Sequence, residues 1–225
     1  CSFLMRTPWK AIFRVFIIKK ECFFMTQKQK THRIAVAALL AAVAAVLQFV
    51  EFSIPIMPAF VKLDISDLPA LLGTFSLGPV YGVAIQLVKN LLHLPFGSSA
   101  CVGELSNFLL GATFAFIAGI IYKKHKNRSG ALWGSVAGAA AMALISLPLN
   151  YFIVYPAYVV LYGLPLEGIV GMYQAILGTV AQIPTGNALF NCLLVFNVPF
   201  TLCKGLLDVA LCFLIYKPLS PLLHK

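Results

Sequence analysis

Phe200-Thr201-Leu202-Cys203-Lys204-Gly205-Leu206-Leu207-Asp208 strands one lysine inside a run of residues that belong in lipid. A charged side chain at mid-membrane costs about 2.5–3.5 kcal/mol on insertion scales, so Lys204 must face a protein interior or a polar cavity. Lys204 and Asp208 stand four apart, the spacing of an i,i+4 ion pair on a helix. Two readings follow. Either the two charges neutralise each other inside a bundle, or Lys204 lines a cavity that binds something polar, with the Thr201 hydroxyl one turn away on the same face.

Outward from that run, the 225-residue chain carries 11% charged residues and a mean hydropathy of +0.91. A soluble domain carries about a quarter charged residues, so the composition reads as an all-α integral membrane protein. The short alternating segments of an outer-membrane barrel are missing from the sequence. A net charge of +10 invites a nucleic-acid reading, but the basic residues gather in the amino-terminal stretch and in Lys123-Lys124-His125-Lys126-Asn127-Arg128. Clusters of that kind beside apolar spans mark the cytoplasmic side, and no nucleic-acid partner is expected. The six cysteines show neither Cys-x-x-Cys spacing nor histidines at metal-ligand spacing, so they read as small apolar packers, and no metal is expected. A Cys101–Cys192 bridge has no support in the sequence.

Expected spans run from about Ile34 to Phe52, Leu68 to Leu77, Val80 to Leu94, Glu104 to Tyr122, Ala131 to Leu161 and Val198 to Tyr216. The second and third are near or below the roughly 17–25 residues of a full crossing, so they read as short or tilted. Segment 162–197 is broken by glycines and prolines. It is either a re-entrant or capping segment, or Ile169 to Ile183 is a seventh span. Charge favours six, which leaves the basic start, the 123–128 run and the Lys217/Lys225 tail on one side, with both termini cytoplasmic. Loops 53–67, 95–103 and 162–197 then share the external face. Residues 1–24 precede Met25-Thr26-Gln27-Lys28 and are too short and charged to span, so they read as an upstream extension, with an interfacial amphipathic helix as the alternative. The working domain is expected over 25–225.

Ala37, Ala41 and Ala45 fall on one face of the first helix, a stripe that lets another helix approach closely. Spacing alone leaves open whether that helix is internal or a partner's. Gly111, Ala115 and Gly119, and Gly134 with Gly138, read as internal contacts. Asn150 follows Pro148 by two residues, where it can repair the kink or present a paired donor and acceptor to a planar heterocycle. Lys89, Asn90 and His93 read as snorkelling or capping groups. The sequence contains no Walker loop, no His-Glu-x-x-His and no Gly-x-Ser-x-Gly, so it does not read as an enzyme.

Phe60-Val61-Lys62-Leu63-Asp64-Ile65-Ser66-Asp67-Leu68-Pro69-Ala70-Leu71-Leu72-Gly73 resembles the first external loop and second helix of the substrate-binding S components of energy-coupling factor (ECF) transporters. Gly78-Pro79-x-x-Gly82, Lys89-Asn90-Leu91-Leu92-His93, Leu149-Asn150-Tyr151-Phe152 and Asn197-Val198-Pro199-Phe200-Thr201-Leu202-Cys203-Lys204-Gly205 are similar to the riboflavin-specific members. The resemblance covers Met25 to the end of the chain. It implies six helices in the cell membrane and a vitamin bound from outside under the first loop, beside Leu63 and Asp64. It implies ligand contacts at Asn150 and Lys204, and Thr201 stands where a second asparagine is common. The alanine stripe Ala37, Ala41 and Ala45 is then expected to meet a transmembrane coupling subunit driven by two cytoplasmic ATPases. Riboflavin is implied as transported ligand rather than cofactor, its ring enclosed by Phe152, Tyr155, Tyr158 and Tyr162. The rival readings are another vitamin on the same scaffold and a non-transport membrane scaffold protein.

Overall fold

The architecture is that of a computed structural model, which describes residues 27–54, 57, 61–97, 101–163, 165–177 and 188–223. Residues 1–24, Pro55, Pro58, Phe60 and segment 178–187 lie outside the described residues. The chain divides into two units, Cys1–Ala35 and Val36–Lys225, and the site belongs to the second.

Helix α1 spans Gln27–Gln48, so it stops four residues before the expected end of the first span. The loop after it holds a two-residue ribbon, β1 (Phe52–Ser53) antiparallel to β2 (Lys62–Leu63), with Phe52 opposite Leu63 and Ser53 opposite Lys62. Helices α2 (Asp67–Leu77) and α3 (Pro79–His93) follow, and both are short. They are separated by one residue, Gly78, whose φ of 113° is a conformation that side-chain-bearing residues rarely adopt. Pro79 then opens α3, where its missing N–H costs nothing.

Helix α4 covers Val102–Lys124 and α5 Arg128–Leu149, joined by a tight turn in which Asn127 caps α5 by accepting from the Gly130 N–H at 2.6 Å. The two helices approach closely because α5 is small where they touch. A methyl added at Gly134 would meet the Ala118 carbonyl at 2.8 Å, and one at Gly138 the Phe114 carbonyl at 2.7 Å. These glycines are internal contacts.

Two π-helical turns interrupt the later helices, each next to a proline. Asn150–Val154 leads into α6 (Tyr155–Tyr162), whose second residue is Pro156. Leu193–Asn197 connects α8 (Ala188–Cys192) to α9 (Val198–Leu223), whose second residue is Pro199. A proline lacks the N–H that would close the α-helical bond to the carbonyl four residues back, and the turn before it widens. The Tyr155 N–H accordingly bonds the Asn150 carbonyl and the Val198 N–H that of Leu193, both five residues back. The expected fifth span therefore runs through both its prolines, as one apolar stretch over Arg128–Leu161, and the helical path of the last one starts well before Val198. Between them α7 is described over Leu166–Leu177, and the remainder of the possible span Ile169 to Ile183 lies outside the described residues.

Among the described residues, four stretches are long and apolar enough to cross a membrane: Gln27–Gln48, Val102–Lys124, Arg128–Leu161 and Leu189–Ile215. The main core joins Leu71, Leu72 and Phe75 of α2, Phe114 and Ala118 of α4, Ala139 and Met142 of α5, and Val209 and Cys212 of α9. A second cluster ties Tyr155 and Tyr158 to Ile169, Tyr173, Cys192 and Leu193, with the Tyr155 and Tyr173 hydroxyls 2.6 Å apart. Leu39, Val43, Val46, Phe116, Leu144 and Leu214 point outward, as a lipid-facing surface requires.

A third cluster holds part of the alanine stripe. Ala41 is packed with Leu40, Ala44, Ala70 and Ile85, with Ala37 half-buried at its edge, and Ala45 is also buried. The Ala41 side of the stripe thus packs inside the chain beside Ala70 of α2 and Ile85 of α3.

Candidate functional site

A cavity of about 290 Å³ opens where six helix ends converge. Gln48 comes from the end of α1, Asp67 from the start of α2 and His93 from the end of α3. Glu104 and Asn107 come from the start of α4, Asn150 from the first widened turn, and Asn197, Thr201 and Lys204 from the second widened turn and α9. Val61, Lys62 and Asp64 of the loop lie across it. Its size approaches that of sites for drug-sized molecules.

Lys204 is buried and does not pair with Asp208. Its Nζ donates to Asp64 Oδ2 at 2.9 Å and to Asn107 Oδ1 at 3.2 Å, and lies 3.5 Å from Asp67 Oδ2. Asp208 is fully buried, and neither of its carboxyl oxygens has a hydrogen-bond partner among the described residues. The expected i,i+4 pair is thus replaced by a long-range one, since the loop carboxylate reaches the ammonium from the cavity side.

Lys89 overturns its reading as well. It is fully buried, donating to Asp67 Oδ1 at 2.5 Å and to Ser66 Oγ at 2.6 Å, while Gln86 Nε2 donates to the same Asp67 oxygen at 2.8 Å. Ser66 in turn donates to Asp64 Oδ1 from its backbone N–H at 2.9 Å and from its hydroxyl. Burial alone would raise the Asp64 carboxyl, but the Lys204 and Lys89 ammonium groups outweigh it and, with the Ser66 hydroxyl, hold it below the usual carboxylate range. Asn90 accepts from Gln48 Nε2 at 3.1 Å and donates to the Gln86 carbonyl, and His93 Nδ1 sits 3.2 Å from Glu104 Oε1. Ser66, Gln86, Lys89 and Asn90 thus form a buried network behind the cavity wall, bonded to the lining residues Gln48, Asp64 and Asp67. A snorkelling side chain would reach water, and Lys89 does not.

At the mouth, Lys62 and Glu51 form an ion pair beside the ribbon. Leu63, expected at the ligand, is half-buried and does not line the cavity, because its place in the ribbon sets it opposite Phe52. Asp64 does line it, as do Asn150, Thr201 and Lys204. Of the expected aromatics, Tyr155 and Tyr158 line the cavity, Phe152 is 71% exposed and faces away, and the Tyr162 side chain lies outside the described residues. Phe96 and Phe200 contribute rings instead. Cys101 and Cys192 are free thiols.

Asn197, Asn107, Gln48, Asp67 and Glu104 are lining residues that the sequence reading did not single out. Asn197 carried a usable signal, standing four residues before Thr201 and so on the same helical face. Asn150 and Asn197 occupy corresponding places, each in a widened turn, and both are buried. Among the described residues, no hydrogen bond engages either side-chain amide or the Thr201 hydroxyl. A buried polar group without a protein partner is costly, so these groups suit a site filled by a polar ligand. The cavity therefore offers neutral donors and acceptors, a held lysine and aromatic surface.

The pattern described as "ECF transporter, substrate-specific component" matches residues 32–216. The riboflavin transporter RibU of Staphylococcus aureus (strain TCH60) is 33% identical over 197 residues, covering 88% of this chain and 95% of that protein. The riboflavin transporter FmnP of Bacillus subtilis (strain 168) is 33% identical over 57% of this chain and 70% of its own length. A solved structure titled "Structure and mechanism of the S component of a bacterial ECF transporter" superposes with a TM-score of 0.67 at 32% identity, covering 87% of this chain and 99% of that one. The chain is a multi-pass membrane protein and belongs to the family of ECF transporter substrate-specific components.

Proposed function

We propose that the chain binds riboflavin in the 290 Å³ cavity and serves its uptake as the substrate-specific component of an ECF transporter. The observation that carries the reading is the set of buried, unengaged groups, Asn150, Asn197 and Thr201, facing a cavity with aromatic walls. Riboflavin joins a flat tricyclic ring, edged by carbonyl and imide groups, to a polyhydroxylated chain without charge. Asparagine amides complement the imide edge, tyrosine and phenylalanine rings cover the ring faces, and Lys204 with Asp64 can meet hydroxyls. The names of the two relatives point to the same vitamin.

The topology we infer has six crossings with both termini in the cytoplasm. Support comes from the alternation of helix ends: α1, α3 and the 128–161 stretch bring their later residues to the cavity, whereas α2, α4 and α9 bring their early ones. Six alternating passes satisfy that pattern, with α2 and α3 as the short ones. The 123–128 run then lies at the opposite, cytoplasmic end. Residues 25–225 act as the working domain, and a coupling subunit with two ATPases drives release inward. Since Ala41 and Ala45 are used internally, the coupling subunit meets the exposed side of α1, around Ala38, Leu39, Ala42 and Val43.

The test is a titration of detergent-purified protein with riboflavin, read by quenching of flavin fluorescence on binding. Saturable quenching at one flavin per chain supports the reading. Absence of quenching, with thermal stabilisation by a different vitamin, would overturn the choice of ligand while leaving the family intact.

A further inference from the structure

The far ends of the same helices enclose a second cavity, of about 230 Å³. Phe75 at the end of α2, Tyr122 near the end of α4, Ala131 in α5 and Phe213 in α9 give it apolar walls, with the Phe75 and Tyr122 rings edge-on at 4.9 Å. Lys126 and Arg128 line it as well, and both are exposed. It thus has an oily interior and a cationic rim.

Among the described residues, the rim has no counter-charge. The sequence contains no carboxylate between Glu104 and Glu167, and no ion pair involves Lys126 or Arg128 among the described residues. Asp208, the acid on the nearby part of α9, lies a turn deeper and is fully buried. Helix capping does not account for Arg128. Arg128 is the first residue of α5, where a positive charge opposes the helix dipole, and the capping there is done by Asn127. Two cations without a carboxylate partner among the described residues, above an apolar slot at the edge of a membrane bundle, match an amphipathic anion. A free phosphate would leave the apolar walls uncovered, and a zwitterionic headgroup would bring its own cation to the rim.

We propose that this cavity binds an anionic phospholipid, with its phosphate at Lys126 and Arg128 and an acyl chain against Phe75, Tyr122 and Phe213. The site is separate from the vitamin cavity and does not depend on which vitamin fills it.

Thermal unfolding of the full chain in a nonionic detergent tests the proposal. Dioleoyl phosphatidylglycerol should raise the midpoint by roughly 3–5 °C, whereas dioleoyl phosphatidylcholine and inorganic phosphate should shift it little. Lys126→Gln/Arg128→Gln should lose most of the phosphatidylglycerol shift and keep riboflavin binding, which shows the fold intact. Ala131→Phe, which fills the slot without touching the charges, should lose the shift too. An undiminished shift in the glutamine variant overturns the proposal, as does an equal effect of phosphatidylcholine. A full effect of phosphate alone overturns it in favour of a simple anion site. No response of the unmodified protein to phosphatidylglycerol overturns it in favour of a protein segment in the slot.

Discussion

Lys204 Nζ and Asp64 Oδ2 are 2.9 Å apart although 140 residues separate them in the chain. The pair ties the loop after α1 to α9 across the 290 Å³ cavity, where a bound hydroxyl would compete for either partner.

Lys204→Met should therefore cost both binding and stability. Removing one partner of a buried ion pair costs about 3–5 kcal/mol, because the other charge is left uncompensated. Affinity for riboflavin should fall roughly ten- to a hundredfold if the ammonium donates to the ligand. Lys204→Met/Asp64→Asn should regain much of the stability without regaining the affinity, and thermal unfolding beside a fluorescence titration separates the two. Recovery of affinity in the double variant would show that Lys204 only neutralises Asp64.

Asn150→Leu should lower affinity by roughly three- to tenfold, the worth of one neutral hydrogen bond, with stability unchanged or raised. The asymmetry follows from an amide that has no protein partner among the described residues. A fall in melting temperature with normal flavin binding would instead assign Asn150 to repair of the kink after Pro148.

Ala41→Leu and Ala42→Leu should behave oppositely. Ala41 is 2% exposed against Ala70 and Ile85, so three added carbons overpack the junction and cost about 1–3 kcal/mol. Ala42 is exposed, and its substitution should spare stability and flavin binding but weaken co-purification with the coupling subunit. Equal loss of assembly in both variants, with no change in melting, would return the interface to the buried stripe.

Stability should decline on the acid side partly through Asp64. Its carboxyl is held below the ordinary value of 3.8, so the folded state prefers the ionised form. That contribution is complete above the unfolded value and is lost as pH falls through the folded one. Asp64→Asn should be less stable than the unmodified protein near neutrality and should flatten the decline below about pH 4 in thermal scans. A parallel decline in both proteins would place the acid-sensitive group elsewhere.

The membrane class, the apolar stretches and the polar positions inside them were legible in the sequence because each rests on local chemistry. A lysine flanked by leucines must find a polar surrounding wherever it goes, and prolines at 148, 156 and 199 must disturb the helices that contain them. The family motifs, from 60–73 to 197–205, were legible for the same reason, as each is a short run of neighbouring residues.

Partnership was decided only by the tertiary structure. Spacing offered Asp208 to Lys204, but helix α9 turns the lysine to the cavity, where Asp64 and Asp67 arrive from a distant loop and helix start. Spacing likewise put Ala37, Ala41 and Ala45 on one face without saying what that face meets, and the folded chain gives Ala41 neighbours in Ala70 and Ile85. Lys89 looked like an interfacial group because its helix end is near the surface, yet Ser66 and Asp67 draw it fully inside. A one-dimensional pattern shows which side chains need a partner. Which partner each one gets depends on how helices distant in sequence pack against one another, and local periodicity does not encode that.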